Sequence, residues 1–409
     1  MLHQYAGSRI TMKIAALFAG IGGMELGLHD AGHRTMMTCE IWEPAVEVLA
    51  HRFPLVTNHP DVSSLKSLPS KTDLLTAGFP CQDLSQAGMT AGIDGRRSGL
   101  VGHVFRLLDQ RRVPVVVLEN VSFMLQLDKG AAMERLTKAF EERGYRWAYR
   151  TVNSQGFLHQ RRERVFFVAS RSDLDPSSVL FVDDVKPRYP KTALDTHAHG
   201  FYWTEGTRGL GWAPDAVPTL KNGSTVGIPS PPAILMPDGR IIKPDIRDAE
   251  RLQGFPSDWT MNAPERQRWS LVGNAVSVPV AAWLGKRLSK PGKFDPKRDR
   301  EWPNKRGSFP RSARFDGETR YAVEIGQFPV WKKRPPLHEF LRHEGTMLSV
   351  RATAGFLSRA EASSLRFVPG FLDAVRAHLD HMRREESKRL VVRPKPSRKA
   401  KTPVLVAAE

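Results

Sequence analysis

Short apolar, β-branched runs alternate with amphipathic stretches from Lys13 to Ser170. Apolar runs of this kind bounded by turn residues mark buried strands, and apolar positions recurring every three or four residues mark helices packed on them. The pattern predicts strands at Ile14–Ala19, Thr35–Glu40, Asp73–Ala77, Val113–Glu119, Trp147–Val152 and Val165–Ala169, with helices including Pro44–Arg52, Val104–Gln110 and Met133–Arg143 between them. Such alternation builds an open parallel α/β sheet. Between Arg171 and Lys243 the periodicity gives way to glycine, proline and aromatics, as in Gly200-Phe-Tyr-Trp, the composition of a separate loop-rich module.

Helical spacing returns at Asp245–Gln253 and near Val278–Arg287, and the sheet domain is expected to reclaim both segments. Pro291–Arg314 reads as a basic linker, Leu337 and Leu372 each open a helical stretch, and Arg393–Lys401 is a basic tail expected to be disordered. The boundaries so drawn are 12–170 and 247–290 for the sheet domain, 171–246 for the loop-rich module and 291–409 for linker, helices and tail.

Charge narrows the partner. Among 409 residues, 61 Lys and Arg face 43 Asp and Glu, a net charge of +18 that points to a polyanion such as nucleic acid. Neither Cys39 nor Cys81, the two cysteines, has the close Cys or His neighbours of a zinc site or disulfide framework. No metal is expected, and a reducing, cytoplasmic setting fits. The apolar stretch Ile14–Met24 is interrupted by glycines and falls well short of the ~20 residues a membrane span needs.

Candidate chemistry sits where predicted strands end. Leu17-Phe18-Ala19-Gly20-Ile21-Gly22-Gly23-Met24-Glu25 follows the first strand and opens a helix, and glycine there lets the backbone approach a ligand closely. The dinucleotide fingerprint wants glycine at position 25, and the glutamate found there puts negative charge where a pyrophosphate would sit. Glu40 ends the second strand at a spacing suited to ribose hydroxyls, and Trp42 beside it can stack an adenine. A phosphate-free adenosyl ligand with a positive centre, S-adenosyl-L-methionine above all, suits these residues; a purely structural turn is the alternative.

Cys81 lies in Gly78-Phe-Pro-Cys-Gln82-Asp-Leu-Ser85 beyond the third strand, a position for a nucleophile or for a small buried side chain. Glu119 and Asn120 end the fourth strand, where they can face the same crevice or simply reach solvent. Arg162 and Arg164 in Gln160-Arg-Arg-Glu-Arg project to one side by the strand period of two, toward that crevice or as an exposed basic edge.

Together these segments resemble the cytosine-C5 DNA methyltransferases. The likeness rests on Phe18-Ala-Gly-Ile-Gly-Gly, Glu40-Ile41-Trp42, Asp61-Val62, Gly78-Phe-Pro-Cys-Gln, Glu119-Asn-Val, Gln160-Arg-Arg-Glu-Arg, Arg247-Asp-Ala-Glu-Arg-Leu-Gln-Gly-Phe-Pro and Gly273-Asn-Ala-Val-Ser-Val-Pro, in the family's order from residue 14 to about 288. The fold this implies is an α/β, Rossmann-like S-adenosylmethionine-dependent methyltransferase sheet with a small loop-rich target recognition domain. An α-helical C-terminal appendage is expected beyond it.

The resemblance also implies roles. Cys81 would add as thiolate to cytosine C6, Glu119 would hold or donate a proton at N3, and Arg164 would contact O2. Arg162 with Arg164 would raise the thiolate fraction of a thiol whose ordinary pKa is about 8.5. Pro80 and Asn120 would shape the pocket, with Gln82 and Ser85 beside the substrate. For the cofactor, Phe18, Ile41 and Trp42 would flank the adenine and Glu40 the ribose. Asp61 and Val62 would meet the adenine edge, and Ala19, Gly20, Ile21, Gly22 and Gly23 would lie beneath the methionine part. Pro80, Leu100, Asn274 and Val276 would complete the wall.

The implied reaction takes S-adenosyl-L-methionine to S-adenosyl-L-homocysteine while methylating C5 of a cytosine flipped out of double-stranded DNA. Lys221, Asn222, Ser224, Thr225 and Arg240 are the candidate base readers in the loop-rich module. A monomer is expected, acting beside a separate restriction endonuclease or alone. Transfer RNA is disfavoured as substrate because Asp83-Leu-Ser, not Pro-Phe-Thr, follows Pro80-Cys81-Gln82. A catalytically silent DNA-binding module is disfavoured because every catalytic position is intact.

Overall fold

The computed structural model describes residues 10–79, 99–189, 191–221, 231–302 and 309–392. The first half of the chain forms β1 (Lys13–Leu17), α1 (Gly23–Asp30), β2 (Arg34–Cys39), α2 (Glu43–Arg52), β3 (Thr57–His59) and β4 (Leu74–Ala77). It continues with α3 (Leu100–Gln110), β5 (Val115–Val121), α4 (Ala131–Glu141), β6 (Arg146–Asn153), β7 (Gln160–Arg161), β8 (Glu163–Ser170) and the short α5 (Pro176–Leu180). The strand β5, Val-Val-Val-Leu-Glu-Asn-Val, is buried almost throughout, the signature of a strand covered on both faces.

Alternation along the strands sorts the core into two layers. Ala15, Leu17, Leu75, Val116, Leu118 and Phe167 pack under α3 and α4, while Ile14, Ala16, Leu74, Val117 and Val168 pack under α1 and α5. The second layer is shared with α8 (Val278–Ser289), which returns from late in the chain to lie along α1. Glycine makes that approach close: a Cβ at Gly27 would come within 2.6 Å of the Ala281 Cβ. The helix Val278–Ser289 thus packs on the helix that opens the chain's first βα unit.

Among the described residues ten strands form the main sheet. Its order begins β3-β2-β1-β4-β5-β8-β6 and continues with three strands from beyond residue 290, β15 (Ser312–Phe315), β16 (Arg320–Val323) and β14 (Asp299–Arg300). The strands β1 to β5 are parallel, whereas β8 runs antiparallel to both β5 and β6. This departs from the all-parallel expectation for a physical reason. The link from Asn153 to Glu163 holds no long crossover helix, and a parallel connection needs a dozen or more residues.

A second sheet comprises β10 (Ala213–Pro214), β9 (His199–Phe201), β12 (Ala233–Leu235), β13 (Ile241–Lys243) and β17 (Thr346–Met347), in that order. The two-residue strand β11 (Val217–Pro218) pairs with β7 and so ties this module to the main domain. Between the modules run α6 (Ile246–Gln253) and α7 (Glu265–Asn274). The C-terminal helices α9 (Leu337–Phe340), α10 (Val350–Glu361) and α11 (Phe371–Val392) follow β16, and Phe356 and Phe371 pack against Phe201 of the small sheet.

The stretch after residue 290 is therefore not only linker and helix. The strands β14, β15 and β16 extend the main sheet, Ser312 to Phe315 pairing with Arg150 to Trp147, and β17 adds an edge to the small one. Their sequences lack the β-branched runs of the first half. Pairing and charge hold them instead: Arg314 bridges to Asp299, and Arg320 to Glu134 and Glu141.

Candidate active site

The strand β1 leads into a turn with three positive φ angles, Phe18 (56°), Gly20 (56°) and Gly22 (82°). For phenylalanine this conformation is strained, and such strain persists where the surroundings impose it, often at ligand sites. Those surroundings include Glu40, whose carboxylate accepts from the Gly20 N–H at 2.8 Å and from the Trp42 N–H at 2.9 Å. One carboxylate thereby pins the glycine turn to the loop after β2. On the far side the Trp259 indole donates to the Ile21 carbonyl at 2.9 Å. A Cβ at Gly20 would meet nothing within 4 Å, so bare backbone faces open space there.

That space is a cleft of about 590 Å³ at the carboxyl edge of the sheet, where ligands bind in such folds. Its wall runs from Phe18, Gly20 and Ile21 through Glu40, Ile41 and Trp42 to Gly78, Phe79 and Leu100. It continues through Glu119, Asn120, Val121, Arg162 and Arg164 and is closed by Leu271, Gly273, Asn274 and Ala275 from α7 and its C-terminus. Residues more than 250 positions apart in the chain thus share one cavity because α8 carries the late segment back along α1.

The aromatic side chains, the ribose-suited carboxylate and the open glycine backbone fit an adenosyl group. They do not fit a pyrophosphate. In the first turn of α1 stands Glu25, 1% exposed, with its Oε1 3.4 Å from the Thr76 hydroxyl and no hydrogen-bond partner for Oε2 among the described residues. Burial, with help from the Glu40 charge, pushes its pKa up to about 7. The folded protein therefore binds a proton here that the unfolded chain, near 4.5, releases earlier. Stability falls as pH rises across that window, by at most about 3 kcal/mol from this group. Glu25→Gln is expected to raise the urea midpoint at pH 8 and to leave it nearly unchanged at pH 5; an equal change at both would contradict the assignment.

At the other end of the cleft Glu119 is 8% exposed and pairs with Arg164, Oε1 to Nε, at 3.1 Å. Burial raises its pKa despite the opposing Arg164 and Arg162 charges, so the carboxyl keeps its proton more readily than an ordinary glutamate. Arg164 stands opposite Val121 in the β5–β8 register, which sets both groups at one strand end. Asn120 is engaged with backbone: its amide donates to the Phe79 carbonyl at 2.8 Å and accepts from the Val121 N–H at 2.8 Å. It therefore anchors the chain immediately before Pro80.

Arg162 lines the cleft, yet its guanidinium is spent on carbonyls. Buried at 1% exposure, it donates to Leu220 at 3.2 Å, Gly273 at 3.1 Å and Ala275 at 2.9 Å, and burial lowers its pKa. It positions the cleft wall, and Arg164 is the cation that meets Glu119. A neighbouring network that sequence reasoning did not single out has the same character. Gln160 donates to Gln253 and to the Leu252 carbonyl, Gln253 donates to the Val272 carbonyl, Ser277 donates to Gln253, and Ser154 donates to Ser277. The signal was present: Gln160, Gln253 and Ser277 all stand inside the motifs quoted above.

Several candidates do not line the cleft. Asp61 caps its own turn through the Ser63 N–H at 2.8 Å, and Val62 is in the core with its carbonyl bound by Arg106. Val276 packs its carbonyl against Gly23, and Ala19, Gly22 and Gly23 support the turn without lining the cleft. Lys221 pairs with Glu205 and lies over the Tyr202 ring, while Arg240 pairs with Asp238 at a hairpin turn. Neither lines the cleft. Pro80, Cys81, Gln82, Ser85, Asn222, Ser224 and Thr225 lie outside the described residues. Cys39 is buried, its thiol pushed up to about 12 by burial, and is no nucleophile.

With this geometry in place, comparison with known proteins decides the family. The C-5 cytosine-specific DNA methylase family matches over residues 12–199 and 193–290. The chain belongs to that family. It is 46% identical over 366 residues to the Type II methyltransferase M2.BsuMI of Bacillus subtilis (strain 168), covering 85% of this chain and 93% of that one. It is 26% identical to the Type II methyltransferase M.DsaV of Dactylococcopsis salina, covering 68% and 86%. Among solved structures, the S. pombe Dnmt2 methyltransferase aligns with 16% identity over 68% of this chain and 98% of that one, at a TM-score of 0.49. The protein is a DNA (cytosine-5-)-methyltransferase, and its family uses S-adenosylmethionine.

Proposed function

We propose that this methyltransferase moves a methyl group from S-adenosyl-L-methionine to C5 of a cytosine flipped out of a specific double-stranded DNA site, through an adduct between Cys81 and C6. The observation that carries the reading is that Glu119, buried and paired with Arg164, shares one cleft with Glu40 and the glycine turn. A proton-holding carboxyl and an adenosyl-suited wall are what the two halves of that reaction need.

C5 of cytosine is a weak nucleophile, and a stacked base is out of reach. Flipping costs a few kcal/mol, which contacts of the basic surface with phosphates would offset. Cys81, as thiolate, would bond to C6 while Glu119 gives its proton to N3, so that the ring becomes an enamine nucleophilic at C5. Arg164 would hold O2 and the Glu119 carboxylate together. When bound, the cofactor supplies the methyl group from its sulfonium. Loss of the C5 proton, for which water is the proposed base, then expels Cys81 as thiolate while N3 returns its proton to Glu119, and the aromatic ring is restored. Asn120, by holding Phe79, fixes where the Pro80-Cys81 segment leaves β4.

Residues 171–246 would read the DNA sequence, in a cytoplasmic monomer that protects sites from a separate endonuclease. The membrane plays no part in this reading, and no helix of the described residues is long and apolar enough to cross one. Duplex DNA carrying 5-fluorocytosine tests the adduct, since fluorine cannot leave as the proton does. With cofactor present, a protein–DNA species stable to denaturant is expected for the wild type and absent for Cys81→Ser. An adduct formed by the serine variant, or one formed only on RNA, would contradict the proposal.

A further inference from the structure

Two basic segments lie side by side at the edge of the sheet that carries the cleft, and the active site accounts for neither. Residues 185–191 contribute Lys186, Arg188, Tyr189 and Lys191, and residues 327–334 contribute Trp331, Lys332, Lys333 and Arg334. The Val185 N–H donates to the Phe328 carbonyl at 3.0 Å, and the Tyr189 ring meets Trp331 edge-on at 5.0 Å. The second segment is laced to the end of β6: Asn153 N–H donates to the Gln327 carbonyl at 3.0 Å, Lys332 N–H to Gly156 at 2.9 Å, and the Arg334 guanidinium to Gln155 at 2.6 Å.

Charge and exposure there are one-sided. Lys186, Arg188, Lys191, Lys332 and Lys333 are exposed, and none of them is in an ion pair among the described residues. Of the nearby carboxylates, Glu163 is matched by Arg311 at 2.9 Å and Asp184 by Arg298 at 2.8 Å, while Asp215 accepts from the Leu337 N–H at 2.7 Å and acts on Arg334. Tyr189 is 55% exposed and borders a hollow of about 290 Å³ with Arg161, Gln155 and Thr192. An apolar partner would leave these ammonium and guanidinium groups desolvated and unpaired, whereas a row of phosphates would match them.

Place decides which polyanion. The strand β6 is separated from β5, and so from Glu119, by β8 alone, and strand spacing puts the end of β6 to which the patch is laced roughly 10 Å from β5 along the same edge. A duplex with a cytosine in the cleft would run over it. Residues 327–334 also lie beyond the span that the family match covers. We propose that this surface is a phosphate clamp for the DNA flanking the methylated site, with Tyr189 against the sugar–phosphate edge. The proposal rests on the DNA reading above.

Arg188→Ala/Lys332→Ala/Lys333→Ala removes three exposed cations, and among the described residues the one internal contact it gives up is that of the Lys332 ammonium, 5.9 Å over the Phe157 ring. Binding to a duplex of about 40 base pairs, followed by anisotropy from about 50 to 200 mM salt, is expected to show the logarithmic salt slope reduced by about two to three and affinity near 0.1 M lowered about a hundredfold. Affinity for S-adenosylhomocysteine by calorimetry is expected to stay within twofold. Wild-type slope and affinity in the triple variant overturn the clamp while leaving the DNA reading intact, as does a lowered Tm with the slope unchanged. A wild-type protein that binds no duplex at all overturns both.

Discussion

Glu119→Gln is expected to slow methyl transfer by about two to four orders of magnitude, the usual range for removing a general acid. Glutamine keeps the shape and can still meet Arg164, so the fold and the affinity for cofactor should hold, and the loss should fall on the chemical step. The pH profile carries a second signature. In the wild type the Cys81 thiolate fraction grows with pH, while the protonated fraction of Glu119, held up by burial, declines. The rate should therefore rise and then fall. In the glutamine variant only the rising limb should remain, and single-turnover transfer of labelled methyl between about pH 6 and 9 reads both. A variant within tenfold of the wild type, with both limbs intact, would remove Glu119 from the mechanism.

The second large effect is structural. Arg162→Met strips the Leu220 and Gly273 carbonyls of their side-chain donor and leaves Ala275 only the longer bond from the Gln253 amide at 3.3 Å. Unsatisfied buried acceptors cost about 1–3 kcal/mol each, and the two left without a donor should lower unfolding stability by about 2–4 kcal/mol after relaxation. Those carbonyls belong to the lead-in to the recognition segment and to the wall carrying Asn274, so cofactor affinity should drop as well. Urea unfolding and calorimetric titration with S-adenosylhomocysteine measure the two effects. Arg162→Lys should recover little, because one ammonium cannot span three acceptors set by a planar guanidinium. A stable, cofactor-competent methionine variant that fails only in turnover would instead return Arg162 to direct catalysis.

Much of the site was legible because its chemistry stands at strand ends. Val115 to Leu118 must be a buried strand, so Glu119 had to emerge at its carboxyl end. Glu40 followed in the same way from the apolar run before it. Side-chain partners were not legible: residue type and spacing put Arg162 and Arg164 on one side, yet only packing assigns Arg162 to carbonyls and Arg164 to Glu119. The direction of β8 escaped because Val-Phe-Phe-Val-Ala reads alike in either orientation, although the short link after Asn153 held the answer. The strands β14 to β16 escaped because their sequences carry arginines and acids at strand positions. What makes them strands is the open edge of β6, with which β15 pairs, and salt bridges that tie β15 to β14 and β16 to α4.

The most direct test of the account is transfer of labelled methyl from S-adenosylmethionine to unmethylated duplex DNA, with mapping of the modified base and Cys81→Ser alongside. The account predicts 5-methylcytosine at one short recurring double-stranded sequence, made by the wild type and not by the serine variant. A folded, cofactor-binding protein that leaves duplex DNA unlabelled, or a serine variant that labels it equally well, would contradict it.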